Sequence, residues 1–141
     1  MATQTVDVVT QLMKQHDEIL ALVATFTPLL NEVGNASNAA KARQFLDKLA
    51  SLLGSHLMVE DKLLYPALIK STNAKVRDTA TLFAEQMGHL LADVQSYLEK
   101  WTTSIHIAAD AKEFAKETNV LVALLLKRIE RENTELFPLL S

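Results

Sequence analysis

The sequence predicts an all-α chain folded as an antiparallel, up-down-up-down four-helix bundle. Apolar residues make up 49% of the chain while Gly and Pro number only three each, too few turn formers for a protein of many short strands. Along four long segments the apolar residues recur at alternating spacings of three and four, the stripe a helix buries in a bundle. The breaks between segments are short, which makes neighbouring helices antiparallel. At 141 residues, one domain spanning 1–141 can bury a continuous core without disulfides or a structural metal to staple it.

The first helix is expected over residues 4–32, with Val9, Leu12, His16, Ile19, Val23, Phe26 and Leu30 on its stripe. Pro28 should kink it or end it early. Residues 33–38 form the first turn, where Gly34 and Asn35 tolerate left-handed backbone. The second helix starts near Ser37 or Asn38 and runs to about Lys70. Its stripe is Phe45, Leu49, Leu52, His56, Val59 and Leu63, with Glu60 one turn beyond His56. Ser71, Thr72 and Asn73 then stop one helix and cap the next. The third helix carries Val76, Ala80, Phe83, Met87, Leu90, Val94, Tyr97 and Trp101, with His89 flanking that seam. Residues 102–109 read as a connection in which His106 is a surface residue. Asp110 and Glu113 read as the capping pair of the fourth helix, whose stripe is Phe114, Thr118, Leu121, Leu125, Arg128, Glu132 and Leu139.

The absence of Cys removes thiolate chemistry, iron–sulfur ligation and disulfides together, fits a reducing cytoplasm, and leaves His and carboxylates as the only metal ligands. Residues 1–9 hold no basic n-region, and no apolar stretch reaches the ~18 residues of a membrane span, so the expectation is an unexported cytoplasmic protein with no membrane partner. A net charge of −3 with scattered Lys and Arg gives no electrostatic footprint for nucleic acid or anionic lipid. Residues 121–126 and 136–140 are more apolar than a monomer's outer face requires, and a homodimer surface is one reading of them.

Three of the four stripes are interrupted by His, Arg or Glu, and burying such groups costs several kcal/mol unless partners or a metal compensate them. His16 lies about 18 residues before the first turn and His56 about 22 after it, a difference of only about one helical turn. From the second turn, His56 and Glu60 lie about 13 to 17 residues back and His89 about 16 forward, while Arg128 and Glu132 fall within about two turns of the same level. One polar cluster in mid-bundle is the economical arrangement. The chain also repeats itself: His56-x3-Glu60-x3-Leu64-Tyr65-Pro66 is echoed by Arg128-x3-Glu132-x3-Leu136-Phe137-Pro138. A His and a Glu one turn apart project from one helical face, so a ring nitrogen and a carboxylate can share an ion or bridge two.

This pattern of a His on the first helix, His-x3-Glu with a Leu-aromatic-Pro tail on the second, a His on the third and a second Glu with a Leu-Phe-Pro tail on the fourth resembles the haemerythrin-like (HHE) family over nearly the whole chain. The resemblance implies His16, His56, Glu60, His89 and Glu132 as ligands of non-haem iron, with Glu60 and Glu132 bridging two ions. It also implies dioxygen, another small diatomic molecule or peroxide as the partner. Arg128 stands where the family pattern has a His, and a guanidinium has no lone pair to offer a metal. Three outcomes follow: two irons with a lopsided second position that uses Glu85; one metal held by His16, His56, Glu60 and His89 with Arg128 in the vacated space; or an ion-pair network with no metal. The matching functions are an iron module that binds or senses dioxygen, nitric oxide or iron and redox state, a peroxide- or nitrosative-stress enzyme, and a metal-free interaction protein.

Overall fold

A computed structural model describes residues 2–140, with side chains described from residue 7 to 140. The first helix, α1, is Ala2–Phe26 and passes into a 3-10 turn, Thr27–Glu32, where Pro28 removes a backbone donor. Asn35 caps α2, Ala36–Val59, by accepting the Asn38 N–H at 2.8 Å. No described residue, Gly34 included, has a positive φ, so that turn uses ordinary right-handed and extended backbone, and the left-handed geometry expected of Gly34 and Asn35 is not used.

The second and fourth helices share an irregularity that the regular stripe does not foresee. After α2 the chain makes a π-helical turn, Glu60–Leu64, and then α3, Tyr65–Ile69. After α7, Ala111–Arg131, it makes a second π turn, Glu132–Leu136, and a closing 3-10 turn, Phe137–Leu140. In both, the residue after the π turn reaches back five positions: Tyr65 N–H donates to the Glu60 carbonyl and Phe137 N–H to that of Glu132. Pro66 and Pro138 follow at once. A proline has no N–H and crowds the carbonyl four residues back, so neither stretch can continue as a regular ladder. The extra residue rotates the chain so that Leu64 and Tyr65, and Leu136 and Phe137, are buried as consecutive pairs. Leu63, expected on the stripe, is 68% exposed while Leu64 is 5% exposed, and Leu139 is half-buried.

The third helix is in two pieces, α4, Ala74–Met87, and α5, Leu90–Lys100. Asn73 caps α4 through the N–H groups of Lys75 and Val76. The break at Gly88 needs a glycine, since an added Cβ would sit 2.3 Å from the Ala84 carbonyl oxygen; Gly54 meets nothing comparable within 4 Å. Residues 102–109 are not a plain connection: Thr103 caps a short helix, α6, Ser104–Ala109, that packs on α2. There His106 stacks on Trp101 at 4.5 Å between centroids. Asp110 occupies the cap position of α7 without a side-chain capping bond.

No strand occurs among the described residues, and no helix there is long and apolar enough to cross a membrane. The four long helices form the antiparallel bundle, and the stripes of α1, α4 and α5 are buried throughout. The apolar core is divided. A larger cluster around Phe26, Phe45, Leu49, Trp101 and Phe114 fills the end near the first turn, and a smaller one around Leu12, Tyr65, Phe83, Leu136 and Phe137 fills the other. The apolar excess of residues 136–140 therefore belongs in part to this core, whereas Leu124 and Leu126 of the other run are exposed. The burial of these adjacent leucines is testable by urea unfolding. Leu64→Ala should destabilise the chain by about 2–5 kcal/mol, and Leu63→Ala by less than about 0.5 kcal/mol; the stripe expected from the sequence, which carries Leu63, would reverse the two.

Candidate metal centre

Between the two apolar clusters lies a group of buried polar residues: His16 from α1, His56 from the last turn of α2, Glu60 and Glu132 from the first position of each π turn, and Arg128 from α7. One ligand atom from each of His16, His56, Glu60 and Glu132 can be chosen so that all lie within 4.8 Å of one another. His16 Nε2 is 3.1 Å from Glu132 Oε1 and 3.8 Å from Glu60 Oε2, and His56 Nε2 is 3.4 Å from Glu60 Oε1.

Both imidazoles are aimed by amides beside the cluster. His16 Nδ1 lies 2.8 Å from Asn133 Oδ1, and His56 Nδ1 lies 2.8 Å from Gln15 Oε1. An amide oxygen accepts only, so each Nδ1 is the protonated donor and each Nε2 faces the centre, where the neutral ring offers its lone pair. Phe137 stacks on the His16 ring at 5.7 Å and fixes its plane. Gln15 and Asn133 lie off the apolar stripes and carry no spacing signal; their only mark in the sequence is adjacency to His16 and Glu132.

The Arg128 guanidinium is surrounded by oxygens. Its Nε donates to Glu132 Oε2 at 3.2 Å, Nη1 to the Met87 carbonyl at 3.2 Å, and Nη2 to Glu60 Oε1 at 3.1 Å and Asp61 Oδ1 at 2.6 Å. Tyr65 donates its hydroxyl to Glu132 Oε2 at 2.7 Å, and its ring lies 5.4 Å from the guanidinium carbon. Three polar atoms of the cluster remain buried with no hydrogen-bond partner: His16 Nε2, Glu60 Oε2 and Glu132 Oε1. The 3.1 Å approach of His16 to Glu132 is thus a charge contact without hydrogen-bond directionality. Each orphaned buried group costs about 1–3 kcal/mol, and a cation accepting all three lone pairs together with His56 Nε2 removes that cost. The donor set fits a metal ion of the kind that takes mixed nitrogen and oxygen ligands.

The structure does not bring His89 to this cluster. It stands at the helix break, its side chain is 60% exposed, and its Nε2 lies 3.5 Å from Asp93 Oδ2. Its height along the bundle matches the centre, but its direction is outward, and what α4 contributes instead is the Met87 carbonyl held by Arg128. Glu85 is exposed and takes no part. Asp61, which sequence spacing did not single out, does take part through Arg128.

Without a metal, protons balance the charge. Burial alone would depress the His16 pKa, but Glu132 and Glu60 outweigh it and push it up to about 9. Burial and the neighbouring Glu60 charge push Glu132 up to about 7, whereas Glu60, despite its burial, is held well below the usual carboxylate range by His16 and His56. His16 and Glu132 both bind protons more tightly folded than unfolded, so the stability they contribute is lost as pH rises. For His16 that loss runs from the ordinary 6.5 through about 9. The metal-free protein should therefore unfold at lower urea at pH 9 than at pH 6, and His16→Gln should flatten that dependence.

Residues 7–140 match the family described as Hemerythrin HHE cation binding domain. No curated protein and no solved structure matches the chain significantly. With the family match covering nearly its whole length and a His and carboxylate cluster at the centre of its helical bundle, this chain belongs to the hemerythrin HHE cation-binding family.

Proposed function

We propose that the centre binds non-haem iron through His16, His56, Glu60 and Glu132, and that the protein binds or senses dioxygen, nitric oxide or redox state through it. The observation that carries this reading is the convergence of three buried, unpartnered ligand atoms, beside two imidazoles whose Nδ1–H groups are both anchored. Iron held there supplies one-electron redox chemistry and a coordination position for a small ligand.

The chain's own residues set the conditions. Gln15 and Asn133 fix the two ring orientations, so little reorganisation accompanies binding. The apolar clusters on either side keep the level dry and strengthen each electrostatic contact inside it. Tyr65 keeps its proton and donates a hydrogen bond to Glu132 Oε2, since burial together with the Glu132 charge raises its pKa above the ordinary phenol value. An enzymatic role in which Arg128 stabilises an anionic intermediate is disfavoured, because its donors already serve three carboxylates and a carbonyl.

The direct test is anaerobic loading with ferrous iron, metal analysis and absorption spectroscopy, followed by exposure to air, nitric oxide or peroxide. Iron retained at the centre with a reversible spectral change and no turnover supports the reading; sustained peroxide turnover makes the protein an enzyme; and absence of retained metal defeats it. His56→Ala should lose iron outright. Gln15→Ala and Asn133→Ala, which leave every ligand in place, should each weaken iron binding about 10–100-fold in a chelator competition.

A further inference from the structure

We infer that Arg128 takes the place of a second metal ion, so that the core centre holds one cation per chain and the guanidinium supplies the other positive charge. This rests on the metal-binding reading above and adds to it the number of ions and the residue that sets that number.

The first support is how the carboxylates divide their oxygens. A carboxylate that bridges two cations gives one oxygen to each. Glu60 gives Oε1 to Arg128 at 3.1 Å and leaves Oε2 without a partner; Glu132 gives Oε2 to Arg128 at 3.2 Å and leaves Oε1 without a partner. Both act as bridges between one guanidinium and one unfilled position, and the unfilled position is the one faced by His16 Nε2. The second support is internal to the chain. The repeat gives Arg128 the place that His56 holds in the other copy, so one copy presents a lone pair to the centre and the other a permanent charge.

The third support is charge. Glu60, Asp61 and Glu132 bring three negative charges against the one positive charge of Arg128. One divalent cation with neutral His16 and His56 brings the buried group to zero, whereas a second would leave it at plus two with no counter-charge among these residues. Arg128 is also not free to withdraw. It is buried, and one of its donors holds the Met87 carbonyl that the break at Gly88 releases. The side chain that fills the second position therefore also fastens α4 in its broken form, in which His89 faces solvent.

The experiment is a titration of the metal-free chain with Mn(II) under anaerobic conditions, counting tightly bound ions per chain and recording the electron paramagnetic resonance spectrum at saturation. The wild type should bind one ion and show the hyperfine pattern of an isolated Mn(II). Arg128→His should bind two, with the broadened signal of an exchange-coupled pair. Arg128→Ala should bind a second ion more weakly through the oxygens that now surround the guanidinium, and Arg128→Lys should stay at one. Two coupled ions in the wild type would overturn the inference and leave the metal-binding reading intact. A folded Arg128→His protein that still binds one ion would overturn the role given to Arg128. No bound ion in any variant, with iron also failing to bind, would remove the metal-binding reading itself. Should the His and Ala variants fail to fold by circular dichroism, the wild-type count and spectrum decide the inference alone.

Discussion

The structure depends on keeping two carboxylates, Glu60 and Glu132, in the interior of a helical bundle. Neither is exposed to solvent, and an unpaired buried carboxylate is among the most costly groups a core can contain. Much around them follows from that constraint. His16 approaches Glu132 Oε1 and Glu60 Oε2, Arg128 and Tyr65 take Glu132 Oε2, Arg128 and His56 meet at Glu60 Oε1, and Asp61 adds a further acceptor to Arg128. The neighbours of the neighbours are occupied too: Asn133 and Gln15 hold the imidazoles. Such a network restricts the ways in which four similar apolar stripes can be brought into register.

The two π turns show how the backbone serves the same constraint. Each begins at one of the buried carboxylates, and each is followed by a buried Leu-aromatic pair and a Pro. The extra residue lets a helix present its Glu to the centre and then turn two consecutive apolar side chains inward, which an uninterrupted α-helix does not do. Insertions of this type concentrate at functional sites in helical proteins. Their occurrence at equivalent places in both copies of the internal repeat makes the repeat one of backbone geometry as well as of residues.

Much of this was legible in the sequence, for reasons that also explain what was not. The three-four spacing located the buried faces of the first and third helices residue by residue, because a stripe records azimuth directly. On the second helix it was already off at Leu52 and Val59, half-buried where Leu53 and Leu57 are fully buried, and on the second and fourth it failed past Glu60 and Glu132, where a template of 3.6 residues per turn has no place for an added residue; Pro66 and Pro138 were the available sign. Counting residues from the turns put His16, His56, Glu60 and Glu132 at one level, and the structure gathers them. The same count put His89 there, but height says nothing about direction: the stripe runs on across Gly88 from Met87 to Leu90, both buried, and His89 beside it faces solvent. Gln15, Asn133 and Asp61 act by reaching sideways from positions off the stripes, and only the packed arrangement of the helices shows what they touch.

The polar layer also divides the hydrophobic interior in two, and this bears on how the molecule loosens. Contacts at the end near the first turn involve a broad set of large residues from α1, α2, α5, α6 and α7, whereas the other end is smaller and built largely from α3, α4 and the closing turns. Cooperative opening units follow contiguous buried contacts. A cation tying the shared layer together would couple the two halves, so that amide hydrogens in both exchange through one global event. Without that tie the smaller half would be a separate unit opening below the free energy of complete unfolding, and the exchange rates of residues 65–87 would then register the state of the centre without observing it.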